Sequence, residues 1–503
     1  MRDTTSNHDD YIIIKNARVL GGGSTVIVKN SNIVLIGSER LAELFSECAS
    51  RVIDLEGKFL APGLIDSHMH FSEYAAYMDF VDLRRARSIE DAKRLIENAG
   101  RSLTPGEWVI AFGWNETEFV ENRELSKDDI DFDFPVIAYR RCMHVATLND
   151  VALSNVIDRL KDVKGGVVDL KRGILKENAL NAISDIVHRI RLEKFKKNAV
   201  KAGERLKAMG LTTVSDLGIS TPYLEAYWEI HKRLPLRVVA YILPSVLRDY
   251  SPREIVRRNS DKFMVRGVKV FVDGSLGGHT ALLYDDYSDD PGNKGVLVSP
   301  VEELLEIAEE ASSYGLDLAI HAIGDRAFNI ALDMAEIARK NGVRVRIEHC
   351  QVIRPDDLER AKKLGVILAV QPIFISTDSQ WAEERLGRGR IRHSYMLKTL
   401  LERGFVVAGG SDAPVEEPNP LYGIYSAVFR KSLVTGKEFL REEAIPVDEA
   451  IKIFTEGSAF ALGIENIVGR IAPGYRAEFT VFEEDPRTAG ESIKDIKAFS
   501  LIL

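Results

Sequence analysis

The stretch Leu60–Phe71, LAPGLIDSHMHF, places two histidines one residue apart, His68 and His70, shortly after an apolar run. Residues i and i+2 of an extended chain face the same side. Both imidazoles can therefore approach one metal ion, whereas adjacent histidines would diverge. Taken alone, the pair is equally compatible with two polar residues where a strand meets a loop. The situation repeats further along. Lys269 sits inside VKVFVDG, where an unpaired ammonium is costly to bury. His321 closes LDLAIH, His349 closes VRVRIEH, and Asp412 follows FVVAGGS. Neutral imidazoles and carboxylate oxygens suit zinc and related divalent ions, with bonds of about 2.0–2.2 Å. An ammonium does not ligate a cation, but a neutral lysine that has taken up CO2 as a carbamate does. Burial and a nearby metal charge favour the neutral amine this needs. The resulting carboxylate can bridge two metals about 3.5–4 Å apart, which share and acidify one water. The alternative for Lys269 is an ordinary salt bridge, to Asp273 or Glu348 for example.

Something must bring these distant residues together. Eight short apolar runs are strand candidates: FLAPGLIDSHMH, GLTTVSDLG, LRVVAYIL, RGVKVFVDG, GLDLAIHAIG, VRVRIEHC, GVILAVQP and GFVVAGGSD. Amphipathic helical patterns such as VEELLEIAEEASSYG and RAFNIALDMAEIARKNG lie between several of them. That alternation predicts an α/β fold, a (β/α)8 barrel, in which the C-terminal strand ends converge on one face. A doubly wound open sheet is the alternative, but no Gly-rich dinucleotide fingerprint follows a strand. DGSLGG and GGSD lack the P-loop spacing as well. Both chain ends are rich in short β-branched runs, which predicts one composite domain from residues 1–62 and 462–503. The barrel domain is then 63–461. The chain between His70 and about Gly210 is too long for one barrel connection and is read as an inserted lid, about 84–200, over the barrel mouth.

Bulk composition narrows the function classes. With 503 residues, 45% hydrophobic and 28% charged, the chain reads as soluble and globular. A net charge of −9 argues against a general binder of nucleic acid or anionic membrane. Cys48, Cys142 and Cys350 are scattered and odd in number, which fits a reducing compartment rather than a disulfide framework. The start, MRDTTSNHDD, lacks the pattern of a secretory signal, and no apolar run reaches membrane-spanning length. A cytoplasmic protein acting on a small molecule is the expectation, with a homodimer as the default assembly.

The order HMH, lysine, histidine, histidine, aspartate resembles the binuclear site of the amidohydrolase superfamily. KVFVDGSLGGHTALL, HAIGDRA, RIEHCQVI, GGSDAPVEEPNPL and FALGIENIVGRIAPGYRAEFTVFEEDP are similar, more narrowly, to the YtcJ-like metal-dependent hydrolases. That branch includes N-substituted formamide deformylases and proteins described as exoenzyme regulators. The resemblance extends over nearly the whole chain, including AFGWNETEF and GILKENA in the insertion. It implies a TIM-like barrel with a β-sandwich built from both chain ends. It implies two divalent metals, zinc in the first instance. His68, His70 and Asp412 would hold the more buried one, His321 and His349 the second, with carboxylated Lys269 bridging. GGHTA departs from many relatives in carrying His279, which either touches substrate or lines its loop.

The expected reaction is hydrolysis of a C–N bond in a linear amide or N-substituted formamide by a metal-bridging hydroxide. One metal polarises the carbonyl, and Asp412 carries the proton from water to the departing amine. The alternatives are a mononuclear, deaminase-type hydrolase in which Lys269 stays unmodified, and a non-catalytic regulatory or binding protein that retains the site. Further substrate-binding candidates each carry a structural alternative. Asp325 orients His321, contacts substrate or caps the following helix; His144, with Arg140 or Arg141, reaches the mouth or is solvated; Trp114 is pocket wall or core. Cys350 reads as core, and the serine of GGSDAP has no matching Ser-His-Asp arrangement.

Overall fold

The computed structural model describes residues 11–503 apart from 102, 105, 162, 164 and 165. The polar stretch MRDTTSNHDD, read above for a leader, lies outside the described residues. The chain divides into two compact units, 1–71 with 200–503, and 72–199.

In the first unit all eight predicted runs become strands of one sheet. They are β1 (Leu64–Asp66), β2 (Leu211–Ile219), β3 (Arg237–Ile242), β4 (Phe263–Phe271), β5 (Asp317–Ala322), β6 (Val345–His349), β7 (Ile367–Val370) and β8 (Val407–Gly409). Each pairs in parallel with the next. Parallel strands covered on both faces read as continuous apolar runs, which is why these segments lack clean alternation. The sheet closes where Ser67 N–H donates to the Gly409 carbonyl at 3.0 Å and Asp412 N–H to the His68 carbonyl at 2.7 Å. The architecture is thus a TIM-like barrel. Register sets Phe271 opposite His321, His321 opposite Glu348, and Ala322 opposite His349, so these chain positions reach one level at the C-terminal rim.

The connecting helices include Val301–Ser313, Asp325–Arg339 and Pro355–Leu364. Asp325–Arg339 buries Ala327, Phe328, Ala331, Met334, Ala335 and Ala338, an apolar stripe at helical spacing. Pro355–Leu364 begins on a proline, whose missing N–H costs nothing there, and stops at Gly365 with φ of 68°.

Both chain ends build two four-stranded sheets. One orders Asn32–Gly37, Thr25–Lys29, Tyr11–Lys15 and Ala49–Asp54; the other orders Arg18–Val19, Phe59–Pro62, Glu478–Phe482 and Ala498–Ile502. Ile14, Val26, Val28, Ile33 and Leu60 share one core with Phe479 and Val481, which makes the pair a sandwich. EFTVF forms the strand Glu478–Phe482, GRIA before the Pro-Gly turn forms none, and Ala498–Ile502 supplies an antiparallel neighbour.

The second unit has its own six-stranded sheet, ordered Gly166–Asp169, Ile174–Glu177, Val145–Leu148, Val136–Arg140, Val109–Trp114 and Val81–Asp82. Alternate residues feed separate cores. Val109, Ala111, Val136 and Ala138 join one, while Ile110, Ile137 and Tyr139 join the other. Among the described residues no helix is long and apolar enough to cross a membrane.

At the barrel seam, the residue after β8 is held to glycine by close approach. A Cβ on Gly410 would sit 2.6 Å from the backbone nitrogen of His68. Gly410→Ala is expected to lower stability by about 1–3 kcal/mol, the usual scale of overpacking, with an unchanged m-value. A urea-denaturation midpoint equal to wild type would contradict the seam.

Candidate metal centre

β1 ends at Asp66, and the chain then passes beneath the start of the β8 loop. Asp66 fixes that crossing. Its carboxylate accepts from the His68 and Ser411 N–H groups, both at 3.1 Å, and from the Ser411 hydroxyl at 2.5 Å. Burial pushes its carboxyl up to about 6, against those hydrogen bonds. Met69 N–H donates to the Ser215 hydroxyl and His70 bridges to Asp216, so the segment docks along β2.

The two histidines are oriented from behind. His68 is fully buried, and its Nδ1 lies 2.5 Å from Glu348 Oε2. His70 Nδ1 donates to the Leu217 carbonyl at 2.8 Å. With Nδ1 turned to an acceptor in each, Nε2 is the ring nitrogen that faces Asp412. Both Nε2 atoms lie 3.2 Å from the same oxygen, Asp412 Oδ1. Three electron-rich atoms at that spacing repel unless a cation joins them, which is the arrangement metal-bound histidines adopt. Burial raises the Asp412 carboxyl, and positive charge beside it, from protonated imidazoles or from a bound cation, outweighs burial and holds it well below the usual range.

His321 and His349 complete a ring cluster. Centroids of His68 and His349 are 4.6 Å apart, those of His321 and His349 4.5 Å. His321 Nε2 donates to the Gly274 carbonyl at 3.0 Å, with Asp273 at 3.5 Å, which leaves Nδ1 bare. Burial and the Lys269 charge push His321 down to about 3. Burial, with His321 and His68 beside it, also drives His349 well below its usual value. Neutral imidazole is the ligating form. One ligand atom each from His68, His349 and Asp412 fall within 4.8 Å of one another.

Lys269 is 1% exposed, and its Nζ has no hydrogen-bond partner among the described residues. Burial pushes it down to about 8, against the attraction of Glu348 and Asp412. The salt-bridge alternatives do not form. Asp273 spends its carboxylate on the N–H groups of Leu282, Ile323 and Gly324 at 2.8–3.0 Å, and Glu348 is held by His68 and Arg346. His68 Nε2, His349 Nδ1 and Asp412 Oδ1 are likewise buried without a hydrogen-bond partner. This donor set, two or more neutral imidazoles with a carboxylate and a buried amine of lowered basicity, fits a divalent metal. His349 and Asp412 also carry positive φ, 72° and 59°, an uncommon conformation that clusters at functional sites.

The softer candidates are each engaged by partners of their own. Asp325 accepts from Tyr284 and Arg326 N–H in the first turn of its helix, so it does not orient His321; Gly274 and Asp273 do. His279 pairs with Asp289 at 3.1 Å and packs edge-on to Tyr287 within its loop. In the second unit, His144 is exposed and pairs with Glu177, Arg140 is bidentate to Glu116, and Arg141 binds Glu118 and the Arg84 carbonyl. Trp114 is not a pocket wall: it is fully buried, donates to the Ala138 carbonyl and stacks on Phe119. Cys350 is buried, and its thiol is raised well above the usual range by that burial, as expected of a core residue.

Two functional residues escaped the sequence reading. Glu348 serves His68 rather than Lys269, and Arg346 holds Glu348 while donating to the Ser67 carbonyl at 2.7 Å. Their signal was present: Arg-x-Glu inside an apolar strand puts opposite charges on one buried side. Cavity size does not mark the site. A larger cavity of about 360 Å³ is lined by Phe405, Val407, Ile453, Phe460 and Tyr475, at the opposite, N-terminal end of β8.

Comparison with known proteins follows this geometry. Residues 51–502 match the sequence family described as "Amidohydrolase family". "Putative amidohydrolase YtcJ" of Bacillus subtilis (strain 168) is 34% identical over 92% of this chain and 91% of its own length. The "N-substituted formamide deformylase" of Arthrobacter pascens is 25% identical over 96% and 94%. The crystal structure of an uncharacterized metal-dependent hydrolase from Pyrococcus horikoshii OT3 superposes with a TM-score of 0.86 at 31% identity, covering 96% of this chain and 99% of that one.

Glu348→Gln removes the anion that both His68 and the buried Arg346 rely on. The expected cost is about 3–5 kcal/mol, as for breaking a buried ion pair. Urea denaturation, with metal content measured by mass spectrometry, checks both consequences; wild-type values for both would refute the role.

Proposed function

The chain belongs to the amidohydrolase family, as a hydrolase of carbon–nitrogen bonds, and from that premise we propose a specific reading. It cleaves the C–N bond of a linear amide or N-substituted formamide at a centre of two divalent metals, zinc in the first instance. The observation that carries this reading is the convergence of bare, buried ligand atoms: His68 Nε2, His349 Nδ1, Asp412 Oδ1 and Lys269 Nζ.

His68, His70 and Asp412 would hold one metal, and His321 and His349 the other. Lys269, as a carbamate, would serve both. A resident divalent metal supplies Lewis-acid polarisation of the carbonyl and acidifies water at neutral pH. The protein's own residues do the rest. Glu348 and the Leu217 carbonyl keep Nδ1 protonated on His68 and His70, so that Nε2 faces inward. The Asp412 carboxylate, kept ionised by the positive charge at the centre, would accept the proton of the attacking water and return it to the leaving amine. Burial keeps Lys269 partly neutral near physiological pH, the form that reacts with CO2.

The formamide and linear-amide assignment draws support from the deformylase relative, at 25% identity. A mononuclear, deaminase-type centre is the second reading, favoured by the tighter grouping of His68, His349 and Asp412.

Three measurements test the proposal. Zinc-reconstituted protein is expected to carry about two metals per chain, against about one for the second reading. Reconstitution with 13C-bicarbonate is expected to give a carbamate carbon signal that Lys269→Ala abolishes, together with loss of metal. On a panel of N-formyl and N-acyl amines, Asp412→Asn is expected to lower kcat by about 10²–10⁴-fold, the usual range for a lost acid–base group. Near-wild-type turnover by a fully metallated Asp412→Asn protein would remove Asp412 from the proton path.

A further inference from the structure

A small cavity of about 20 Å³ opens beside His349, with a mainly apolar lining that includes Phe374, Met396 and Leu400 and is interrupted by Gln351, Gln371 and Arg430. His349 belongs to the metal-ligand cluster, and its ring lies against Phe374 with centroids 6.1 Å apart. The cavity therefore adjoins the place where a substrate carbonyl must sit. Gln371 directly follows β7, at the barrel end that carries the ligand set. It is 5% exposed, yet among the described residues neither Oε1 nor Nε2 has a hydrogen-bond partner. Gln351, 4% exposed, gives its Nε2–H to Asp378 Oδ2 at 3.2 Å, and its Oε1 is left without a partner. The Tyr395 hydroxyl donates to the same Asp378 oxygen at 2.7 Å.

Buried carboxamides left unpaired are costly, and such groups in a cavity mark what the cavity is built to meet. The chemistry offered is two acceptor oxygens and one amide donor. Arg430 turns Nε and Nη2 to the Phe439 and Tyr395 carbonyls, both at 3.2 Å. A carboxylate would face two carbonyl oxygens. A neutral group that both donates and accepts satisfies the set, and the volume admits only a compact one. We propose that Gln371, together with Gln351, forms a specificity pocket for a small donor–acceptor substituent, a hydroxyl, carried by the substrate close to its scissile carbon. This rests on the hydrolase reading above and narrows its substrate class.

Two substrate pairs test it, each differing only by hydroxyl against methyl: N-benzylglycolamide with N-benzylpropionamide on the acyl side, and N-acetylethanolamine with N-acetylpropylamine on the amine side. Zinc-loaded wild type is expected to favour the hydroxyl member of at least one pair by about tenfold or more in kcat/KM, since a site built for a hydrogen bond rejects the analogue lacking it. In Gln371→Leu or the shape-preserving Gln371→Met, with wild-type metal content and Tm, that ratio should fall to within about twofold of unity. A wild type with no preference in either pair overturns the inference. So does a preference that survives either substitution, which would leave Gln371 holding a structural water. Should neither variant fold, inhibition of wild type by products decides: glycolate over propionate, or ethanolamine over propylamine, supports the pocket, and equal inhibition in both comparisons overturns it. Turnover of other amides but of neither pair defeats this inference alone. Turnover of no amide by metallated wild type defeats the hydrolase reading, and this one with it.

Discussion

The centre depends on one buried carboxylate that is not itself in the ligand set. Glu348 is fully buried, bound on one side by the His68 ring and on the other by the Arg346 guanidinium. An isolated carboxylate could not be kept ionised at that depth, and Arg346 supplies the compensating charge. Ionised, Glu348 fixes the tautomer of His68, and the tautomer decides which nitrogen faces Asp412. Arg346 reaches further, to the Ser67 carbonyl, and so ties β6 to the segment that follows β1. One electrostatic arrangement therefore sets both ligand chemistry and barrel closure.

The electrostatics around it are unusual in being unfinished. Lys269, His349 and His68 each retain a buried polar atom with nothing to bond. Proteins rarely leave such atoms unpaired, because each costs the desolvation of the group without return. Here the imidazoles of His321 and His349 are driven toward neutrality by burial and neighbouring positive charge, and the Lys269 amine is weakened by burial. Those shifts remove positive charge from the spot where a cation would otherwise be repelled.

Much of this was legible in the sequence, and the reason is geometric. Parallel barrel strands are short apolar runs with one polar group at the C-terminal end, so His321, His349 and Asp412 announced themselves by position. Lys269 stood out because an apolar strand has no ordinary place for an ammonium. Other residues could not be read this way. Asp66 acts through a hydrogen bond to Ser411 across 345 positions, which no local pattern encodes. Trp114 and Asp325 carry groups that suit a substrate pocket, but each is absorbed by packing or a helix turn. Ala498–Ile502 lacks an obvious strand boundary, and its existence depends on pairing with Glu478–Phe482. Residue type and spacing reveal what a side chain could do; which partner claims it first is decided by tertiary contacts.

The sandwich has a bearing on how the protein is made. Phe59–Pro62 leads straight into β1, yet its antiparallel neighbour is Glu478–Phe482. Gly63 N–H donates to the Glu478 carbonyl, and Leu64 N–H to the Thr480 hydroxyl at 2.9 Å. The backbone just ahead of His68 therefore waits for a partner that the ribosome delivers some four hundred residues later. Until then an apolar edge stays open, and contacts of such long sequence separation form slowly. Nascent chains should consequently be most dependent on holdase chaperones until the Glu478–Phe482 strand has emerged.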